Sequence, residues 1–256
     1  MWKYVYDSIT GTSHAQSGQP CQDYCKGKVH EYGSSNVLIA ACSDGAGSAM
    51  LSSFGAKESG ERFFAEAELW LQNCVLSGPP DHEIIKSWVN AARISVLEKA
   101  IELNALPREL ACTLIGAVVA ENWAVFVQIG DGAIVFDCED SYQVAFWPEN
   151  GEYANTTYFL TDDHYEKHVM IDVLPQKKIT ELAVFTDGLQ MLALDYVNSQ
   201  PYIRFFTPLF ATVRSSQDQG LLQKDLLAYL SSERMNKRTD DDKSLLLATR
   251  VLKGTD

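Results

Sequence analysis

"NVLIAACSDGAGSAM", residues 36–50, runs from an unbroken apolar stretch into an acid followed by glycine. A short apolar run closed by turn residues reads as a buried strand, and its consecutive apolar positions mean that both faces of its sheet are covered. Asp44 stands where that strand ends. A carboxylate there is costly unless it is paired or binds a metal, and Gly45 lets the backbone come close to an ion. The arrangement recurs. Leu182-Ala183-Val184-Phe185 runs into Thr186-Asp187-Gly188, "QIGDGAIVF" sets Asp131 between two apolar runs, and "KRTDDDKSLLLATR" puts Asp240, Asp241 and Asp242 before the last one. One Asp-Gly pair alone is a common hairpin turn; acids at the mouths of several apolar runs raise the question of a shared site.

Beyond Asp44 the period changes. Ala56, Gly60, Phe63, Ala67, Leu71 and Cys74 mark one apolar face of a helix over about residues 52–74. "SGPPD" breaks it, and Asp81 can cap a second helix with the stripe Ile85, Val89, Ala92, Val96, Ala100 and Leu103, which ends at Asn104 to Pro107. From Cys112 to Trp147 the pattern reads as one antiparallel meander: "CTLIGAVVA", "WAVFVQI", the tight "GDG", "AIVF" and "YQVAFW". A strand over 179–186, a helix in "LLQKDLLAYLSS" and a closing strand in "SLLLATRVL" complete the expectation. Strands cluster apart from helices, so the fold class is α+β, with sheets packed together and helices outside.

With 256 residues, 46% of them hydrophobic, the chain can bury a large core, and no stretch has linker composition, so residues 1–256 are expected to form a single domain. A net charge of −13 repels polyanions and argues against a nucleic-acid partner. No run approaches the roughly 18 apolar residues of a membrane span, and "MWKYVYDSITG" lacks the features of a signal peptide. Cys42, Cys112 and Cys138 lie in apolar runs and suggest free buried thiols rather than a disulfide framework. The expectation is a soluble cytoplasmic monomer without a membrane partner.

The ordered set Gln22-Asp23, "DGAG" at 44–47, two helices, "GDG" at 130–132, "TDG" at 186–188 and "DDKSLLL" at 241–247 resembles the 2C-type metal-dependent Ser/Thr protein phosphatases, in their bacterial form. The resemblance implies a four-layer αββα sandwich, two antiparallel sheets face to face with helices on both outer faces. It implies Asp23, Asp44, Asp187 and Asp241 as ligands of two divalent ions together with the Gly45 carbonyl, and Asp131 as a partner of Asp187 at a third. Such oxygen-only ligands suit Mn²⁺ or Mg²⁺ better than zinc. The implied activity is hydrolysis of phosphoserine and phosphothreonine by direct attack of water, on phosphoproteins of a cognate Ser/Thr kinase system.

The pattern also departs from the family. The phosphate-gripping arginine five residues before the first metal aspartate is Gly18 here, Gln22 replaces a glutamate, and Ala46 stands where some members carry a histidine. His14 is the nearest candidate to offer phosphate a positive charge. In the last motif the spacing to Ser244 favours Asp241, with Asp240 and Asp242 left open. Residues 147–178 either flank the active site or form a polar connection. Two other readings compete: a pseudophosphatase used as a binding module, and a structural zinc site of His14, Cys21, Cys25 and His30. Retention of the principal acids favours the enzyme, since crowded carboxylates repel one another without the ions they serve.

Overall fold

The computed structural model describes residues 1–32, 35–74, 78–139, 141–147 and 157–251. Among these, two five-stranded antiparallel sheets form. The first has the order β1 (Trp2–Ile9), β12 (Lys243–Arg250), β9 (Ile179–Phe185), β6 (Ala133–Cys138) and β7 (Ser141–Val144). The second has the order β2 (Tyr24–Tyr32), β3 (Ser35–Ser43), β4 (Leu114–Val119), β5 (Trp123–Ile129) and β8 (Met170–Pro175). A short helix α1 (Thr12–Ser17) links β1 to β2, and the long helices α2 (Ser52–Cys74) and α3 (His82–Glu102) follow β3. After β9 come α4 (Gln190–Ala193), the small pair β10 (Leu194–Asp195) and β11 (Gln200–Pro201), then α5 (Ile203–Ser215), α6 (Gln219–Leu230) and α7 (Glu233–Asn236).

Three apolar interfaces stack these elements into the four-layer αββα sandwich. Phe63, Leu71, Trp88 and Val96 of α2 and α3 pack against Ile39, Val118 and Val125 of the second sheet. Phe206, Phe210, Leu222 and Leu226 of α5 and α6 pack against Val135, Phe185 and Leu247 of the first. Between the sheets, Leu38, Ala40, Ile115 and Phe126 meet Ile134, Val184 and Leu246. The unbroken apolar run of β3 is thereby explained, because alternate residues serve two different interfaces.

The helices stand where the periodicity puts them. Asp81 caps α3 by accepting from Ile84 N at 2.9 Å, and the chain leaves that helix through Asn104, whose φ is 53°. The single meander expected over Cys112–Trp147 does not form. β4 and β5 pair in the second sheet, whereas β6 and β7 belong to the first. "GDG" is the crossing between sheets rather than a hairpin turn: Gly130 and Gly132 have φ of 89° and 95°, and a Cβ on Gly132 would lie 2.7 Å from the Phe185 carbonyl oxygen of β9, the strand beside which β6 sets out. Only glycine tolerates that conformation and that approach without strain.

Candidate metal centre

The acids come together because strands of both sheets end at the same edge of the sandwich. Asp44 follows β3, Asp187 follows β9 after Thr186, Asp131 rides the inter-sheet crossing, and Asp23 and Asp241 precede β2 and β12. Tyr24 is the partner of Ser43 in the β2–β3 ladder, which brings Asp23 to the rung of Asp44. One carboxylate oxygen from each of Asp44, Asp131 and Asp187 lies within 4.8 Å of the others.

Neighbouring groups fix the acids in place. Thr113 N donates to the Asp44 carbonyl at 2.8 Å, and Asp44 N donates to Thr113 Oγ1 at 2.9 Å. Thr186 Oγ1 donates to Asp23 Oδ2 at 2.7 Å and accepts from Ser244 N at 3.0 Å, which ties three motifs together. Thr157 Oγ1 donates to Asp131 Oδ2 at 2.7 Å, so the polar segment after Trp147 does reach the site; its residues 148–156 lie outside the described ones. Gly45 leaves no room for a side chain, since a Cβ there would sit 2.8 Å from the Gln22 carbonyl oxygen and from Ser52.

The electrostatics are those of an anion cage short of cations. Burial, and then the charges of Asp23, Asp187 and Asp131, hold the Asp44 carboxyl well above the usual carboxylate range. Burial raises Asp187 to about 8, with Asp131, Asp241 and Asp23 adding to the effect. Asp23 is raised to about 7 by burial and the Asp242 charge, against the opposing bond from Thr186. Asp131 Oδ1 is buried and has no hydrogen-bond partner among the described residues. Hard oxygen donors, mutual repulsion and an orphaned buried carboxylate oxygen all fit a site for divalent Mg²⁺ or Mn²⁺.

The three consecutive aspartates divide their roles. Asp241 bears on Asp187 by its charge. Asp242, only 2% exposed, faces the opposite way: its Oδ1 accepts from Gly11 N and its Oδ2 from Gln22 N, both at 2.6 Å. His14 Nδ1 also lies 3.0 Å from Asp242 Oδ2, and the imidazole is 13% exposed. His14 is therefore engaged with a buried acid, and the position where the family's arginine would stand, Gly18, closes α1 with φ of 71°. That left-handed helix cap favours glycine and explains why a longer side chain is absent there.

Lys243, which the sequence reading left just ahead of the closing strand without a role, is fully buried beside the cluster and donates to the Asp241 carbonyl at 3.0 Å. Burial pulls its ammonium below the ordinary value, against the charges of Asp242, Asp241 and Asp23. Thr113, Thr186 and Thr157 were also missed; a hydroxyl next to an acid, as in "TDG", was the available signal for Thr186. The zinc reading fails, because its residues turn to different partners. His14 meets Asp242, Cys25 meets Cys42, and His30 meets Glu68 at 3.0 Å.

Comparison with known proteins agrees with this geometry. The family described as Protein phosphatase 2C matches residues 10–231. The chain is 33% identical over 252 residues to serine/threonine-protein phosphatase 3 of Escherichia coli (strain K12), covering 96% of this chain and 98% of that one. A crystal structure of a bacterial serine phosphatase matches with a TM-score of 0.62 at 13% identity, covering 100% of both chains. The catalytic domain of the serine threonine protein phosphatase PstP, in complex with 2 manganese ions, matches with a TM-score of 0.58 at 12% identity, covering 97% of each chain.

Proposed function

Because the chain belongs to the protein phosphatase 2C family, we propose that it hydrolyses phosphoserine and phosphothreonine monoesters on proteins, with Mn²⁺ or Mg²⁺ held by Asp23, Asp44, Asp131, Asp187, Asp241 and the Gly45 carbonyl. The observation that carries this reading is the meeting of Asp44, Asp131 and Asp187, where burial and then neighbouring negative charge raise Asp44 and Asp187 and the Asp131 Oδ1 has no hydrogen-bond partner among the described residues. Bound there, divalent ions supply the positive charge that lowers the pKa of the attacking water and neutralises the leaving oxygen. The chain's own groups position the ligands: Thr186 holds Asp23, Thr113 the Asp44 backbone, and Thr157 Asp131. The resident manganese of the PstP catalytic domain supports the choice of ion.

The substrates are phosphoproteins made by a Ser/Thr kinase, and we place the activity in the cytoplasm, in keeping with the free thiols of Cys21, Cys25, Cys42, Cys112 and Cys138. No described helix is long and apolar enough to cross a membrane. A pseudophosphatase with the same fold would have little use for an unrelieved acid cluster. Hydrolysis of an aryl phosphate and of a phosphothreonine peptide, measured with and without Mn²⁺, tests the proposal; metal binding without turnover of either substrate would leave the binding-module reading standing.

A further inference from the structure

Two rungs along the ladder from Asp23 and Asp44, Cys25 of β2 and Cys42 of β3 are direct cross-strand partners. Their sulfurs lie 2.8 Å apart, about 0.8 Å more than a disulfide bond. Residues two apart on a strand share a face, so the thiols sit beneath the rung that carries the two acids. Directly opposed antiparallel residues have Cα atoms about 4.5–5.5 Å apart, inside the range a disulfide spans. The two sulfurs differ in access. Cys42 is buried between the sheets, its Sγ 3.7 Å from the Val184 carbonyl oxygen. Cys25 is half-buried and lines a cleft of about 490 Å³ with Tyr6, Ser8, Asp23, Tyr24 and Gln223, open to a small solute.

We propose that Cys25 and Cys42 are a peroxide-oxidisable pair, forming a disulfide that alters the spacing of the Asp23–Asp44 rung and weakens divalent-ion binding. The Cys25 sulfur attacks an oxygen of a hydroperoxide, the O–O bond breaks, and the alcohol or water released carries away the thiol proton, leaving a sulfenic acid. The Cys42 sulfur then attacks the Cys25 sulfur, the S–O bond breaks, and water leaves with the Cys42 proton. Two thiols lose two electrons to one hydroperoxide. A thiol such as glutathione or dithiothreitol reverses the step. Cys21 is not part of the pair, since its sulfur is directed to the Asp23 carbonyl oxygen at 3.9 Å.

The crosslink stands on the ladder geometry alone; its effect on the ions rests on the metal site proposed above. Both are read without turnover, so a failure of the enzymatic reading is distinguishable from a failure of this one. Full-length protein is treated with hydrogen peroxide and digested, and the peptides are weighed. The expected result is a peptide pair joined through Cys25 and Cys42 and lighter by two hydrogens, present in Cys21→Ser and absent in Cys25→Ser. Calorimetric titration of the oxidised protein should show Mn²⁺ binding weakened about tenfold, the scale of altering groups that position metal ligands, and dithiothreitol should restore it. A link through Cys21, or Cys25 oxidised to sulfinic acid with Cys42 untouched, overturns the pair. Unchanged Mn²⁺ affinity in crosslinked protein overturns its effect on the site.

Discussion

Aspartates crowded at one edge of the sandwich behave in two opposite ways. Asp242 accepts from Gly11 N and Gln22 N and lies against His14, so its charge is matched by donors from the chain itself. Asp44, Asp131 and Asp187 face one another, and burial with like charge raises Asp44 and Asp187 while Asp131 Oδ1 lacks a partner among the described residues. A buried acid supplied with donors is a fastening, here joining the β12 entrance to the loops at Gly11 and Gln22. Buried acids supplied mostly with other acids are unfinished without cations. Adjacent residues Asp241 and Asp242 fall on the two sides of that division.

The comparison is broken most severely by removing a charge from the unfinished group. Asp44→Asn or Asp187→Asn should reduce Mn²⁺-dependent aryl phosphate hydrolysis to background, while circular dichroism shows an intact fold and the metal-free protein melts higher than wild type. Activity lost together with the fold would assign these acids to the fastening class instead. Treatment with EDTA should likewise abolish hydrolysis, and added Mn²⁺ or Mg²⁺ should restore it; full activity in EDTA refutes a metal centre.

Asp242→Ala should do the reverse, lowering stability by roughly 3 kcal/mol in denaturant melts, because two buried N–H donors lose their acceptor. A variant as stable as wild type would deny Asp242 its anchoring role.

A smaller effect is expected with pH. Asp23 and Asp187 titrate at about 7 and about 8 in the metal-free fold, against an ordinary carboxylate value of 3.8. The folded chain therefore holds protons that the unfolded chain has released between about pH 4 and pH 8. Their contribution to stability is fully present below that window and is lost as pH rises through it. Melting temperature of the metal-free protein should fall from pH 5 to pH 8, less steeply in Asp44→Asn and in Mn²⁺-saturated protein; a flat profile without metal contradicts the crowding. The smallest change belongs to His14→Ala, expected to cost about 1 kcal/mol through the lost Asp242 contact with KM little altered. A KM raised tenfold at unchanged stability would instead give His14 a direct part in holding phosphate.

Much of the architecture was legible because its signals are local. The stripes of α2 and α3, the Asp81 cap and the apolar runs of β3, β5, β9 and β12 each depend on neighbours a few residues away. β1 and β2 gave no such signal, since both are edge strands with half-buried polar residues and tyrosines among their positions.

By itself, the sequence determined that several acids lie at the mouths of buried strands and that two long helices follow the first of them. Tertiary structure alone decided which sheet each strand joins, since "GDG" has the composition of a hairpin turn and its crossing passes close to the Phe185 carbonyl of a strand about fifty residues later. It also separated Asp241 from Asp242 and brought Lys243 beneath the cluster, because hydrogen-bond donors such as Gly11 N and Gln22 N approach from more than two hundred residues away in the chain. Local pattern records which face of a strand is apolar; which charge meets which donor is set only when the two sheets close on each other.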